Sequence, residues 1–317
     1  MIRRLGRTPG SLVSADLVRW AESLYRNGAT DPPLSGAVFA IEQLEVHAKG
    51  LAATHEAGPG RRGDQLLERL ADSERVIGRC SDLMSSALAA GRRLTPAAEW
   101  VLDNQYLIDE QIALTRRHFP RGYCRTLPQL LRGEGAGLPR VHDLIMEFIA
   151  HVDGRVDDEA LARYVGAYQS VIHLSLGELW SVAIMLRLAL IENLRRVAAS
   201  ISWQRAHRDC AMAWVKRLDA PSGEHESALL VLAEMVREDP PLSTAFVAQF
   251  TQALQGRGAT TTFVLAWLEQ RLAAVGQTIE DMVRAESQRQ EVDQASMANS
   301  IASLRLVGAT EWHRFVE

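Results

Sequence analysis

The sequence predicts an all-α protein, a multi-helix array or bundle of about ten helices around one buried central helix. Three observations carry this. Apolar residues recur at three- and four-residue steps along most of the chain, and no strand-period run stands out. Of the 317 residues 47% are hydrophobic but only 6% aromatic, so core volume must come from Leu, Ala, Val and Ile, which suits closely packed helices. The stretch from Ser175 to Arg196, SLGELWSVAIMLRLALIENLRR, is apolar on nearly every face, as an interior helix is.

Taken in order, residues 1–13 read as a loose basic arm and 14–26 as a short amphipathic helix, stopped by the Asp31–Pro33 breaker. Val38, Ile41, Leu44, Ala48 and Leu51 then form one helical stripe, and Gly58 to Gly63 a loop. Leu66, Leu67, Leu70, Ile77, Leu83, Met84 and Leu88 mark the next helix, ending near Gly91. Thr95 and Pro96 supply an N-cap and a proline at the first helical position for a helix that runs to Pro120. A Gly- and Pro-rich loop follows, with a helical turn expected at Pro128 to Leu131, then helices at about 139–152 and 157–171. Ser175 and Glu178 have capping-box spacing and open the central helix, whose pattern persists to about Leu218. The remaining helices are broken at Asp239–Pro241, at Gly256–Gly258 and near Gly276. This gives three regions: a flexible arm and short helix over 1–33, an N-terminal helical subdomain over 34–218 and a C-terminal one over 224–317.

The formal charge of −4, with no basic stripe, argues against a nucleic-acid partner. Lys49 and Lys216 are the only lysines, so a Schiff-base or P-loop lysine is not expected. Cys80, Cys124 and Cys210 are widely spaced, which fits no zinc cluster and suits a reducing compartment. The run Leu179 to Ile191 is too short to span a bilayer and contains Arg187. No nucleophile–base pair or phosphate loop is present, so no catalytic residue and no cofactor is assigned.

Four constellations stand out. Trp100, Asp103, Asn104, Leu107, Glu110 and Gln111 share one side of a helix, mixing an aromatic ring with amides and carboxylates. That side can bind a sugar, or it can cap a loop and pair with Arg187. Arg121-Gly122-Tyr123 is either a sugar-binding rim or a staple folding back onto the preceding helix, with Gly122 free to take a backbone conformation closed to other residues. Glu147 and His151 are one turn apart and can ligate a metal, but the Glu-x-x-His spacing and second copy of a di-iron bundle are missing, so no metal is assigned. In the central helix, Glu178, Trp180 and Arg187 interrupt apolar stripes, and Arg187 is expected to find a carboxylate: Glu110, Asp103 or Glu147.

Several segments, FAIEQLEVHAKGLA, EWVLDNQYLIDEQI, FPRGYCRTLPQL, GLPRVHDLIMEFIAHVDGRVDDEAL, LGELWSVAIMLRLALIENLRRVA and NSIASLRLVGATEWHRFVE, resemble in order the N-terminal region of bacterial cyclic β-1,2-glucan synthases. The resemblance covers about residues 34–317. Cys124 stands where the family pattern carries a second aromatic residue.

The resemblance implies a large inner-membrane enzyme with a UDP-glucose-dependent glucosyltransferase module, membrane spans and a phosphorylase-like module. This chain would then be the soluble, cytoplasmic-side helical leader of such an enzyme, as an excised fragment or a stand-alone homologue. It would be non-catalytic, with the catalytic and membrane modules as partners. The alternative is a helical domain that binds β-1,2-glucan or UDP-glucose through Trp100, Asp103, Asn104, Glu110, Arg121, Tyr123, Glu178, Trp180 and Arg187.

Overall fold

A computed structural model describes residues 34, 37–60, 63, 65–219, 226–257 and 262–309. The expected arm and helix over 1–33, most of the Asp219–Gly223 loop and the final EWHRFVE segment lie outside them. Among the described residues the protein is all-α, as its apolar periodicity predicts. Eleven helices are present: α1 (Ile41–Thr54), α2 (Gln65–Ala89), α3 (Pro96–Asp103), α4 (Gln105–His118), α5 (Arg140–His151), α6 (Asp158–Gln169), α7 (Leu176–Leu218), α8 (Glu226–Glu238), α9 (Thr244–Leu254), α10 (Thr262–Ala273) and α11 (Ile279–Ala309). The only strands described are two-residue segments, β1 (Ala57–Gly58) antiparallel to β2 (Gln129–Leu130).

The 43-residue α7 is the expected central helix. From Ser181 to Ala199 only Ile184, Glu192 and Arg196 are not fully buried. Its start is the expected capping box: the Ser175 amide donates to Glu178 Oε2 at 2.8 Å and the Glu178 amide to Ser175 Oγ at 3.4 Å. Pro96 occupies the first turn of α3 as expected, whereas the Thr95 side chain makes no capping bond.

Two local expectations are corrected. The helix expected from Thr95 to Pro120 is interrupted at Asn104 (φ −114°, ψ 13°). The Asn104 amide nitrogen donates to Trp100 O at 2.9 Å, a side-chain bond that competes with the helical ladder. The turn expected at Pro128–Leu131 is instead β2, preceded by a 3-10 turn over Tyr123–Thr126. Gln129 and Leu130 are drawn into backbone pairing with β1, where tertiary contact overrides local propensity.

The described residues divide into two compact units, one over Ile201–Val292 and one over residues 34–200 and 293–309, so that α7 and α11 contribute to both. The first unit has an aliphatic and aromatic core that includes Trp214, Met235, Phe246, Phe250, Val264 and Leu268. Arg208 and Thr244 both donate to Glu286 at 2.8 Å.

The second unit is more polar inside. The start of α7 runs between α5, which supplies Arg140, and the end of α11, which supplies Ser296, Ser300 and Val307. Asn193 donates to Ser296 and Ser300, both at 2.9 Å, so a buried amide fixes how α11 lies along α7. Gly154, at φ +72°, makes the tight turn between α5 and α6; a Cβ there would come within 2.5 Å of Ser300 Oγ. α1 packs on α6 and on α5.

Candidate functional site

The capping box at the start of α7 grows into a larger buried network. Glu178 has no exposed surface, yet its carboxylate accepts from Arg140 Nε at 2.6 Å, Arg140 Nη2 at 2.9 Å, and the Ser175 amide and hydroxyl, both at 2.8 Å. Arg140 also donates to His173 O at 2.8 Å. The bidentate geometry is the form in which a guanidinium tolerates burial. The hydrogen bond to Glu178 raises the Arg140 pKa above its ordinary value despite desolvation. Beside this pair, His55 bridges Tyr168 Oη at 2.8 Å and Asp143 Oδ2 at 3.2 Å. Burial pushes the Tyr168 phenol up to about 12, so it stays protonated. These groups are hydrogen-bonded to one another within the fold.

Further along α7, Glu192 receives Arg195 at 2.6 and 2.8 Å and Arg196 at 2.9 Å. Burial works to raise its pKa, but the two guanidinia more than offset this and hold the carboxyl at about 2. It borders a void of about 10 Å³ shared with His142, Arg69 and Ser73, no larger than one water.

Arg187 is interior, as expected, but its expected carboxylate is not there. Nη2 donates to Val307 O at 3.2 Å, Nε has no partner among the described residues, and desolvation lowers its pKa. The physical reason is where the acids point. Asp103 and Glu110 lie on exposed positions of α3 and α4, and Glu147 faces His47. The carbonyl at the end of α11 takes the guanidinium instead.

The polar side expected over α3 and α4 is split by the break at Asn104. Asn104, Ile108, Gln111 and Thr115 turn inward, while Asp103 and Glu110 are exposed and Trp100 is partly so. Asn104 Oδ1 accepts from Arg305. The Arg121-Gly122-Tyr123 loop behaves in part as a staple. Gly122 takes φ +81°, the conformation anticipated for it, and Tyr123 Oη donates to Gly177 O at 3.2 Å, fastening the loop to the start of α7. Pro120, Arg121, Gly122, Tyr123, Arg125 and Thr126 line an open groove of about 580 Å³. Trp180 and Leu176, one turn apart at the start of α7, are 55% and 63% exposed.

One cluster could hold a metal. His47 on α1 meets the Glu147–His151 pair of α5: His47 Nε2 lies 3.0 Å and His151 Nε2 3.6 Å from Glu147 Oε2. Sequence reasoning found two of these three. His47 was missed because 100 residues separate it from Glu147. The available signal was an imidazole bordering the Leu44–Ala48 stripe. His55, Asp143 and Tyr168 were missed for the same reason.

Among the described residues, then, the molecule is all-α, with no helix long and apolar enough to cross a membrane. No protein-family profile matches the chain. It is 34% identical over 278 residues to the cyclic beta-(1,2)-glucan synthase NdvB of Rhizobium meliloti (strain 1021), an alignment that takes in 86% of this chain. The chain is related to that glucan synthase. It spans about a tenth of the relative's length, the alignment covering 10% of it.

Proposed function

We propose that this chain is a non-catalytic helical module of a cyclic β-1,2-glucan synthase, which scaffolds or regulates the membrane glucosyltransferase from its cytoplasmic face. The relation to a glucan synthase supports the context. The observation that carries the non-catalytic reading is Glu178. It is the acid at the heart of the fold, and its oxygens are consumed by Arg140 and Ser175. A buried carboxylate held by four hydrogen bonds from within the fold positions helices and offers no exposed surface to a substrate. The catalytic and membrane modules of the synthase are the partners, and the Leu176–Trp180 face is the surface offered to them, since exposed paired apolar residues mark contact sites.

A second reading has one observation in its favour. The groove at Arg121–Thr126 carries two exposed arginines beside Tyr123, a set able to take a sugar diphosphate or a glucan. With Trp100, Asp103, Asn104, Glu110, Trp180 and Arg187 it makes up the ligand-binding alternative.

Two measurements decide. The purified chain should neither hydrolyse UDP-glucose nor transfer glucose from it; robust turnover rejects the first reading. Calorimetry with UDP-glucose and with linear and cyclic β-1,2-glucan should give no binding heat at millimolar ligand. A saturable heat that Arg121→Ala abolishes supports the second reading over the first.

A further inference from the structure

We propose that His47, Glu147 and His151 form a binding site for a divalent transition-metal cation of the zinc type. The proposal stands apart from the reading of the module's role. It begins with the donor set. Two imidazole nitrogens and one carboxylate oxygen lie within 4.8 Å of one another, on two packed helices. Tetrahedral zinc with bonds of about 2.0–2.1 Å sets its ligand atoms roughly 3.3–3.5 Å apart. The observed 3.0 and 3.6 Å separations from Glu147 Oε2 straddle that value. Two nitrogens with one oxygen suit zinc and its first-row neighbours and do not suit magnesium or calcium, which take oxygen ligands.

The hydrogen bonding of His151 is the independent observation. Its Nδ1 lies 2.9 Å from Ala37 O. A carbonyl can only accept, so Nδ1 carries a proton, and Nε2 is the nitrogen whose lone pair can bind a cation. That lone pair faces Glu147 Oε2, another acceptor, at 3.6 Å. A cation between that nitrogen and the carboxylate would be held by both, with His47 Nε2 at 3.0 Å from the same oxygen. A backbone carbonyl on the far nitrogen is also how metal-bound histidines are commonly oriented.

The ring is held in place. Phe39 stacks on it at 3.9 Å with planes 6° apart, and the Phe39 amide donates to His151 O at 3.0 Å. Glu147 keeps 40% of its side-chain surface exposed, so solvent reaches the cluster and can supply a fourth ligand. A cation there would tie the segment at Ala37–His47 to α5 across a long stretch of chain.

The test is calorimetry of the full chain, stripped with chelator, against ZnCl₂. One saturable site per chain is expected. His47→Gln and Glu147→Gln should each weaken it by about tenfold or more, and His118→Gln, on an exposed part of α4, should leave it unchanged. Zinc should raise the melting temperature of the parent chain and not that of either weakened variant. Absence of saturable binding up to millimolar zinc overturns the proposal; it would mean that a proton on His151 does the neutralising. Equal affinity in parent, His47→Gln and Glu147→Gln also overturns it, showing adventitious binding by other members of the nine histidines. Should a variant fail to fold, diethylpyrocarbonate labelling of the parent chain decides. Zinc protection of both His47 and His151 supports the site, and protection of one or neither overturns it.

Discussion

Glu178 and Glu147 are both carboxylates that join a helix to a distant part of the chain, but their surroundings differ in completeness. Glu178 is sealed from solvent and accepts four hydrogen bonds, two from a guanidinium and two from the residue that caps its own helix. Glu147 is 40% exposed and faces two imidazoles, His47 Nε2 at 3.0 Å and His151 Nε2 at 3.6 Å. A saturated acid is a structural joint. A part-exposed acid beside two oriented imidazoles is where the proposed cation would bind. The difference lies in how many lone pairs are already spoken for, not in residue type.

Removing the joint should have the largest effect. Glu178→Ala leaves Arg140 charged, buried and without its partner, at a cost of about 3–5 kcal/mol. Urea denaturation should show the loss as a lower midpoint at unchanged slope. A loss under 1 kcal/mol would mean that water reaches Arg140 in solution.

Two histidines of α5 extend the comparison. His142 is buried, and desolvation, with help from the charge of Arg69, lowers its pKa from 6.5 to about 4. A depressed histidine is neutral in the fold and charged in the unfolded chain at intermediate pH. Its contribution is therefore present above pH 6.5 and lost as pH falls toward 4. Between pH 7 and 4.5 the loss should be roughly 2–3 kcal/mol. His207, also held near 4 by burial, adds to it from the other unit. In His142→Phe the pH dependence should be shallower by that amount. An unchanged slope would show that His142 is not desolvated. His151, two turns and more along the same helix, is 14% exposed at its side chain and stacks on Phe39.

The Glu147 substitution comes next in size. With both partners part-exposed, the His47–Glu147 contact is worth about 0.2–1 kcal/mol. Glu147→Gln in chelator should lower stability by no more than that. A larger loss would make Glu147 a joint like Glu178 and erase the distinction.

How far the sequence reveals this arrangement depends on the range of each interaction. Helix periodicity, the Ser175–Glu178 box and the left-handed Gly122 are local, and each could be read from a few residues. The interiority of α7 was legible because its apolar residues leave no polar face. Partners were not. Arg140 lies 38 residues from Glu178, His47 lies 100 from Glu147, and nothing in either segment names the other. The break at Asn104 was also hidden, since it arises when an amide bonds back to Trp100 O, and periodicity carries no trace of that bond. Of the candidate ligand residues, the sequence places Trp100 and Glu110 on one helix, whereas the break at Asn104 leaves them on α3 and α4 and turns Asn104 inward while Asp103 stays out.

The smallest expected effect separates two buried arginines. Arg140 has a bidentate carboxylate; among the described residues Arg187 has one carbonyl, at 3.2 Å, and an unpaired Nε. Burial of a guanidinium without a counter-charge costs free energy that one hydrogen bond barely offsets. An apolar side chain of similar length should therefore serve as well. Arg187→Met should change stability by less than about 1 kcal/mol, or raise it. Arg140→Met should lower it by several times as much, since it strands Glu178. If Arg187→Met is instead strongly destabilising, the guanidinium has a partner in solution beyond Val307 O. A carboxylate would then be the group to seek, by pairing Arg187→Met in double-mutant cycles with Asp103→Asn, Glu110→Gln and Glu147→Gln.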